Sequence, residues 1–322
     1  MLQYRCKDSS RLILDSKFDD FFTSATEHQS ISGTSLVVTF LGDYLCHSGG
    51  GIWMGSLINF MESLGFNQRF VRSSVFRLKQ DGWLDVKKSG RKSYYFMTPE
   101  RFDEIRAANK KIYSVEKLGW DGKWNIIHIS SSTQNDSKQH GKYLARFGFG
   151  TLDKGIYIQA DQNQLDHVDI EKIAKHFPES HIFTQTSLYS TAMGNEQELV
   201  RKAWDLSRLN DDYKAFCDMF NPVWQELKDI SVDEVSPEEC FKLRLLLVHF
   251  YRRIIIRDPL LPAELLPDNW AGGIAQSLAM NIYKKIHLQG RNYVSEHGET
   301  VAGPLPLPAS DYYARFGGLQ PQ

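Results

Sequence analysis

Between Asn67 and Thr98 the spacing of apolar residues changes from a helical period to a strand period, and cations fill the polar positions on both sides of the change. Val71, Val75 and Leu78 fall at i, i+4 and i+7 with Ser74 beside them, which predicts one buried side of a helix from Asn67 to Asp81. At about 100° per residue, Arg69, Ser73, Phe76 and Gln80 point away from that side, flanked by Arg72 and Arg77. After Gly82, Trp83-Leu84-Asp85-Val86 and Ser93-Tyr94-Tyr95-Phe96 are β-prone runs around Lys87-Lys88-Ser89-Gly90-Arg91-Lys92, where Gly90 supplies the turn.

Eight cations, Arg69, Arg72, Arg77, Lys79, Lys87, Lys88, Arg91 and Lys92, stand against Asp81 and Asp85, so the segment carries +6 in a chain of net charge −1. Charge concentrated on one supersecondary unit is the electrostatic footprint of nucleic-acid binding. Two amphipathic stretches precede it. Thr34 to Cys46 carries Leu36, Val37, Phe40, Leu41, Tyr44 and Leu45 and is broken by His47-Ser48-Gly49-Gly50-Gly51. Met54, Leu57, Ile58, Met61 and Leu64 then repeat at helical spacing up to Gly65. Three short helices and a two-stranded wing predict a winged helix-turn-helix over residues 32–99, with the third helix as reader of double-stranded DNA. The competing reading is a helix and hairpin whose charges form a solvated face.

The rest of the chain predicts an α+β protein of several domains. Residues 1–31 read as a polar N-terminal extension and 100–119 as a helical connector. In 120–190, strands at Trp124–Ile129, Gly155–Ala160 and His181–Thr186 alternate with helices at Lys138–Phe147 and Val168–Phe177, a small α+β sandwich. Residues 191–322 read as a helical C-terminal domain, with helices near Glu196–Leu209, Asp211–Ile230, Pro237–Arg257 and Trp270–His287. The third is apolar on most sides, as expected of the centre of a bundle or a subunit contact. Gly148, Gly150 and Gly155 read as turn glycines, with a phosphate cradle as the alternative.

At 322 residues, 42% hydrophobic and 24% charged, the chain has the composition of an ordinary globular protein with two or three cores. No uninterrupted apolar run reaches the roughly 18 residues of a membrane span; the greasiest segment, Leu243 to Ile256, is broken by Arg244, His249, Arg252 and Arg253. Leu12-Ile13-Leu14 is too short for a signal-peptide core and acids follow at once, so a cytoplasmic protein is expected. Cys6, Cys46, Cys217 and Cys240 form no CxxC pair, which predicts free thiols and no metal site. There is no GxSxG and the ten histidines are dispersed, so no catalytic site is expected.

Five segments, SGTSLVVTFLGDYL, GFNQRFVRSSVFRLKQDGWLDV, WDGKWNIIHIS, VHFYRRIIIRDPLLPAELLPDNWAG and YYARFGGL, resemble in order the PaaX family, bacterial repressors of phenylacetate degradation. The resemblance runs from Ser32 to Leu319. It implies a ferredoxin-like fold for 120–190, and a cytoplasmic homodimer that binds palindromic operators and leaves them when phenylacetyl-coenzyme A accumulates. It implies no other cofactor. Small metal-dependent nucleases with that fold hold a metal through an acid at the end of the first strand; here Ile129 is followed by Ser130 and the first acid is Asp136. On the reader, Arg69, Arg72, Ser73 and Phe76 are expected at base edges, with Arg77, Lys79 and the wing cations Lys87, Lys88, Arg91 and Lys92 on phosphates. For the effector, Arg252, Arg253, Arg257 and Trp270 are the candidates, among aromatic residues that also include Trp120, Trp124, Trp204 and Tyr251. Pairing of the three arginines with Glu234, Glu238, Asp258 or Glu264 is the alternative. A protein or RNA interaction module, or a repressor answering a different acyl-coenzyme A, remains the second functional reading.

Overall fold

The computed structural model describes residues 18–27, 31–49, 51–115, 119–130, 134–161, 165, 167–188 and 196–320. Cys6 and the Leu12-Ile13-Leu14 run lie outside the described residues. Part of the expected polar extension is a packed helix, α1 (18–27). Its Phe18, Phe22 and Ala25 share one side at helical spacing and are buried, and Phe21 meets Phe220 edge-on at 5.4 Å.

Helix α2 (Gly33–Phe40) continues into a π turn, Leu41–Leu45, whose five residues are all buried. A short strand β1 (Gly51–Trp53) leads into α3 (Met54–Glu62) and α4 (Gln68–Gln80). Strands β2 (Leu84–Ser89) and β3 (Lys92–Met97) follow, then α5 (Pro99–Tyr113). The sheet is antiparallel in the order β1-β3-β2, with Ser89 opposite Lys92 across a two-residue turn and Ile52 opposite Tyr95. Strand β1 departs from the expected glycine break. A three-residue segment carries no periodicity of its own and is defined only by its ladder to β3.

The middle of the chain runs β4 (Lys123–His128), α6 (Gln134–Leu144), β5 (Gly150–Asp153), β6 (Ile156–Ala160), α7 (His167–His176) and β7 (His181–Ser187). Its four strands pair antiparallel in the order β5-β6-β4-β7. Strand β4 reads as a continuous apolar run because both its faces are covered. Trp124 packs with Ile158, Leu199, Val200 and Leu206 on one side, and Ile127 with Leu144, Tyr157 and Ile173 on the other. The glycine-rich stretch contains an unexpected strand, β5. Gly148 and Gly155 take φ +83° and +75° as turn residues, and Gly150 lies under the Trp204 ring.

The C-terminal part holds α8 (Glu196–Ala203), α9 (Leu206–Leu227), α10 (Pro237–Ile255) and α11 (Gly272–His297). A small strand pair, β8 (Glu299–Thr300) and β9 (Gly303–Pro304), and a 3-10 segment at Ser310–Gly317 complete it. The expected helix to Leu209 is interrupted at Trp204-Asp205, and α11 runs ten residues beyond His287. No helix among the described residues is long and apolar enough to cross a membrane. Cys46, Cys217 and Cys240 are free thiols.

These mixed α+β elements pack as two compact units that do not follow chain order. One comprises residues up to 115 with 216–252 and 274–322; the other comprises 116–215 with 253–273. The helical C-terminal part therefore contributes to the same unit as the N-terminal helices, and an ion centre in that unit supplies a physical reason. Asp43, on the π turn, accepts from Arg244 Nε (2.7 Å) and Nη2 (3.0 Å) of α10, and from Arg315 Nη1 (2.6 Å). Tyr113 and Tyr283 add hydroxyl donors at 2.8 and 2.9 Å. Asp43 and Arg244 are essentially inaccessible to solvent. Burial pushes the Asp43 carboxyl up, but the two guanidiniums override it and hold it at about 2.

Candidate nucleic-acid interface

Helix α4 begins at Asn67, whose Oδ1 accepts the Phe70 N–H at 2.9 Å, and ends at the Asp81-Gly82 turn. Val71, Ser74, Val75 and Leu78 are buried, so the apolar stripe read from spacing is the stripe that packs. Arg69, Arg72, Ser73, Phe76, Arg77, Lys79 and Gln80 are all exposed. Phe76 is 61% exposed and stands among the cations of this face. With the Gln68 amide oxygen turned toward it, Arg72 has an acceptor at 3.1 Å from Nε and 2.9 Å from Nη2, which orders the guanidinium along the helix face. The Ser73 hydroxyl donates to Phe70 O at 2.9 Å, leaving only its lone pairs for a partner. Arg77 and Lys79 lie in the last turn, where the helix dipole favours cations.

On the hairpin, Lys87, Lys88 and Arg91 are exposed, and Gly90 takes φ +56° at the turn. Neither these three nor the α4 cations form an ion pair among the described residues. Lys92 differs. Its Nζ lies 2.6 and 2.8 Å from the two carboxylate oxygens of Glu299 on β8 and 4.3 Å from the centre of the Trp53 ring. Tyr94 OH donates to the same carboxylate at 2.7 Å. Hydrogen bonds from Lys92 and Tyr94 hold the Glu299 carboxyl below its usual value. Lys92 is thus occupied within the molecule, by a partner 207 residues away that no local pattern could reveal.

The residues expected to meet an effector do not converge as a set. Arg252 donates from Nε to Thr39 Oγ1 (2.7 Å) and from Nη2 to Ser35 O and Oγ (2.7 and 2.8 Å), tying α10 to α2 within the first unit. Arg253, Arg257 and Trp270 belong to the second unit. Arg253 is exposed, Arg257 pairs with Asp212 at 2.9 Å, and Trp270 meets Tyr213 edge-on at 5.5 Å. Of the acids named as internal partners, Glu238 pairs with Lys242 at 2.8 Å and Glu234 closes a capping box with Ser231. A helix of period 3.6 spreads neighbouring arginines around its axis. Trp120, Trp124 and Trp204 do gather, with ring centres 5.3 and 6.4 Å apart, beside a cleft of about 780 Å³ lined by Arg201, Lys202, Trp204, Lys214, Leu265 and Pro267.

Two family profiles match the chain: "PaaX-like protein" over residues 32–100, which spans α2 to the hairpin, and "PaaX-like protein C-terminal domain" over 204–296. The chain is 40% identical over 307 residues to the "Transcriptional repressor PaaX" of Escherichia coli strain K12, covering 94% of this chain and 96% of that one. That relative is a regulator of transcription rather than an enzyme. A solved structure, the "Uncharacterized protein Rv0674 from Mycobacterium tuberculosis", aligns with a TM-score of 0.49 at 17% identity, over 81% of this chain and 97% of that one. Identity at this level along nearly the whole of both chains, on top of the basic helix and hairpin at Gln68–Met97, places this protein in the PaaX family.

Proposed function

We propose that this protein is a cytoplasmic repressor of phenylacetate catabolic genes, which binds palindromic operators as a homodimer and is released by phenylacetyl-coenzyme A. The observation that carries the DNA part is the division of α4 into a buried apolar stripe and an exposed face of cations without ion pairs among the described residues, continued by the cations of β2 and the turn. Three helices followed by a hairpin support a winged helix-turn-helix, with α4 in the major groove and the hairpin as wing. The succession β-α-β-β-α-β in the order β5-β6-β4-β7 supports a ferredoxin-like fold for the middle of the chain.

In this reading Arg69, Arg72, Ser73 and Phe76 approach base edges, and Arg77, Lys79, Lys87, Lys88 and Arg91 hold phosphates. Lys92 is withdrawn from the phosphate set because Glu299 holds it. Arg91→Ala is expected to lower affinity equally on all sequences and reduce the slope of log K against log salt by about 0.9. Lys92→Ala is expected to leave that slope unchanged. Anisotropy titrations at several salt concentrations check both, and a flattened slope in Lys92→Ala would return Lys92 to the phosphate contacts.

The effector belongs in the cleft beside Trp204, whose volume suits an organic ligand and whose rim carries Arg201, Lys202 and Lys214. Arg252, Arg257 and Trp270 are then structural, each held by the contacts described above. Linkage requires the ligand to favour a conformation that binds DNA poorly, so operator DNA lowers ligand affinity by the same factor. Footprinting on promoters next to the gene, with phenylacetyl-coenzyme A or free phenylacetate, is the direct experiment. Protected palindromes released only by the thioester are the expected result; absence of protection, or equal ligand affinity with and without DNA, contradicts the proposal.

A further inference from the structure

Arg291 of α11 is 4% exposed and forms no ion pair among the described residues. Its Nη2 donates to Ser48 Oγ (2.8 Å) and Pro306 O (2.9 Å), and its Nη1 reaches Tyr44 O at 3.5 Å. All three acceptors are neutral, Nε is closed off from solvent with no acceptor among the described residues, and the guanidinium otherwise lies 5.4 Å over the Tyr312 ring. The surroundings add to the imbalance. Arg244 and Arg315 share the single carboxylate of Asp43, so the buried centre is already in excess positive charge before Arg291 is added. Burial, reinforced by Arg244, pushes the Arg291 guanidinium below its usual value. A buried charge with no counter-ion is among the more expensive features a fold can retain.

Arg291 lines a small cavity of about 220 Å³ whose walls combine the apolar Leu288, Leu307, Pro308 and Tyr312 with the polar Asn292 and Ser295. His287 also lines it and is neutral near pH 7, since burial and Arg244 push it down to about 4. The cavity's one acid, Glu296, is an exposed residue. A purely inorganic anion would leave the apolar walls unused, and a neutral apolar molecule would leave the guanidinium uncompensated. We propose that this cavity binds a small organic carboxylate with an apolar body, its carboxylate against Arg291 and its body against Leu288, Leu307 and Tyr312. No residue of this site belongs to the α4 face, the hairpin or the cleft beside Trp204, so the proposal stands apart from the operator reading.

The test is equilibrium binding of benzoate, benzamide and inorganic phosphate to the full chain, by calorimetry or ligand-observed NMR. Benzoate is expected to bind with a Kd on the order of 0.1–1 mM, a reasonable affinity for so few atoms, with its neutral isostere benzamide and phosphate each roughly tenfold weaker. Leu307 is 73% exposed, so Leu307→Glu keeps the fold while placing a like charge beside the carboxylate; it should weaken benzoate roughly tenfold with an unchanged Tm. Arg291→Met should abolish binding, and Leu307→Glu keeps the test decisive if Arg291→Met fails to fold. Equal binding of benzoate and benzamide, phosphate binding as tightly as benzoate, no benzoate binding at about 20 mM, or an unaffected Leu307→Glu variant would overturn the proposal.

Discussion

Replacing Asp43 by Asn should lower the free energy of unfolding by about 3–5 kcal/mol, the cost of leaving a buried charge without its partner. Asp43 receives both Arg244 and Arg315, whose side chains are 0% and 3% exposed, and an amide neutralises neither. The same carboxylate takes hydroxyls from α5 and α11, so its loss loosens the π turn, α5, α10, α11 and the C-terminal segment together. The pH dependence has a definite sign. An unfolded Asp titrates near 3.9, whereas the folded Asp43 carboxyl is held at about 2. Its contribution is complete above the unfolded value and is lost as the pH falls through the folded one, about 2.6 kcal/mol in all. Urea unfolding of the wild type and Asp43→Asn between pH 6 and pH 2 should therefore show a stability gap that narrows on the acid side. A cost below about 1 kcal/mol, the range of a surface ion pair, or a gap constant with pH, would mean that Asp43 does not neutralise this centre.

Replacing Arg72 by Ala should weaken operator binding by about 1–3 kcal/mol and relax preference at one base pair per half-site. Binding to unrelated DNA should change far less. Arg72 is exposed on the flank of α4, beside the outward face that carries Arg69, Ser73 and Phe76, and with the Gln68 amide oxygen turned toward it the guanidinium is ordered before any ligand arrives. Such ordering lowers the entropy lost in a bidentate contact, which distinguishes it from a mobile phosphate-seeking cation. Anisotropy titrations on the operator and on single-base variants separate the two roles. If Arg72→Ala loses affinity evenly on every sequence, as Arg91→Ala should, the reading face has been assigned to the wrong residues.

Legibility in the sequence followed the range of the interaction. The inner stripe of α4, the hairpin around Gly90, the apolar α10 and the strands β4, β6 and β7 were readable because each rests on spacing within about a dozen residues. Strand β1 was not, being three residues long and defined by its partner. Strand β5 was hidden by glycines that serve its flanking turns. Helix α1 could have been found: Phe18, Phe22 and Ala25 stand at i, i+4 and i+7, a stripe masked by the polar residues between them.

The charged residues mark the boundary most sharply. Asp43 within FLGDYL, Arg244 within KLRLLL and Arg315 within YARFGG each stand among apolar neighbours, and such charges must find one another or an ion. That signal was present, but which charge meets which was not, because Asp43 lies 201 residues from Arg244 and 272 from Arg315. The same holds for Lys92, a hairpin cation by position and a partner of Glu299 by folding. The local periods, the +6 segment and hence an exposed basic face follow from the residue order alone, since these depend on neighbours along the chain. Which cations on that face stay free of ion pairs among the described residues, and where the buried ones are compensated, were settled by the fold, because Coulomb partners are chosen by distance in space.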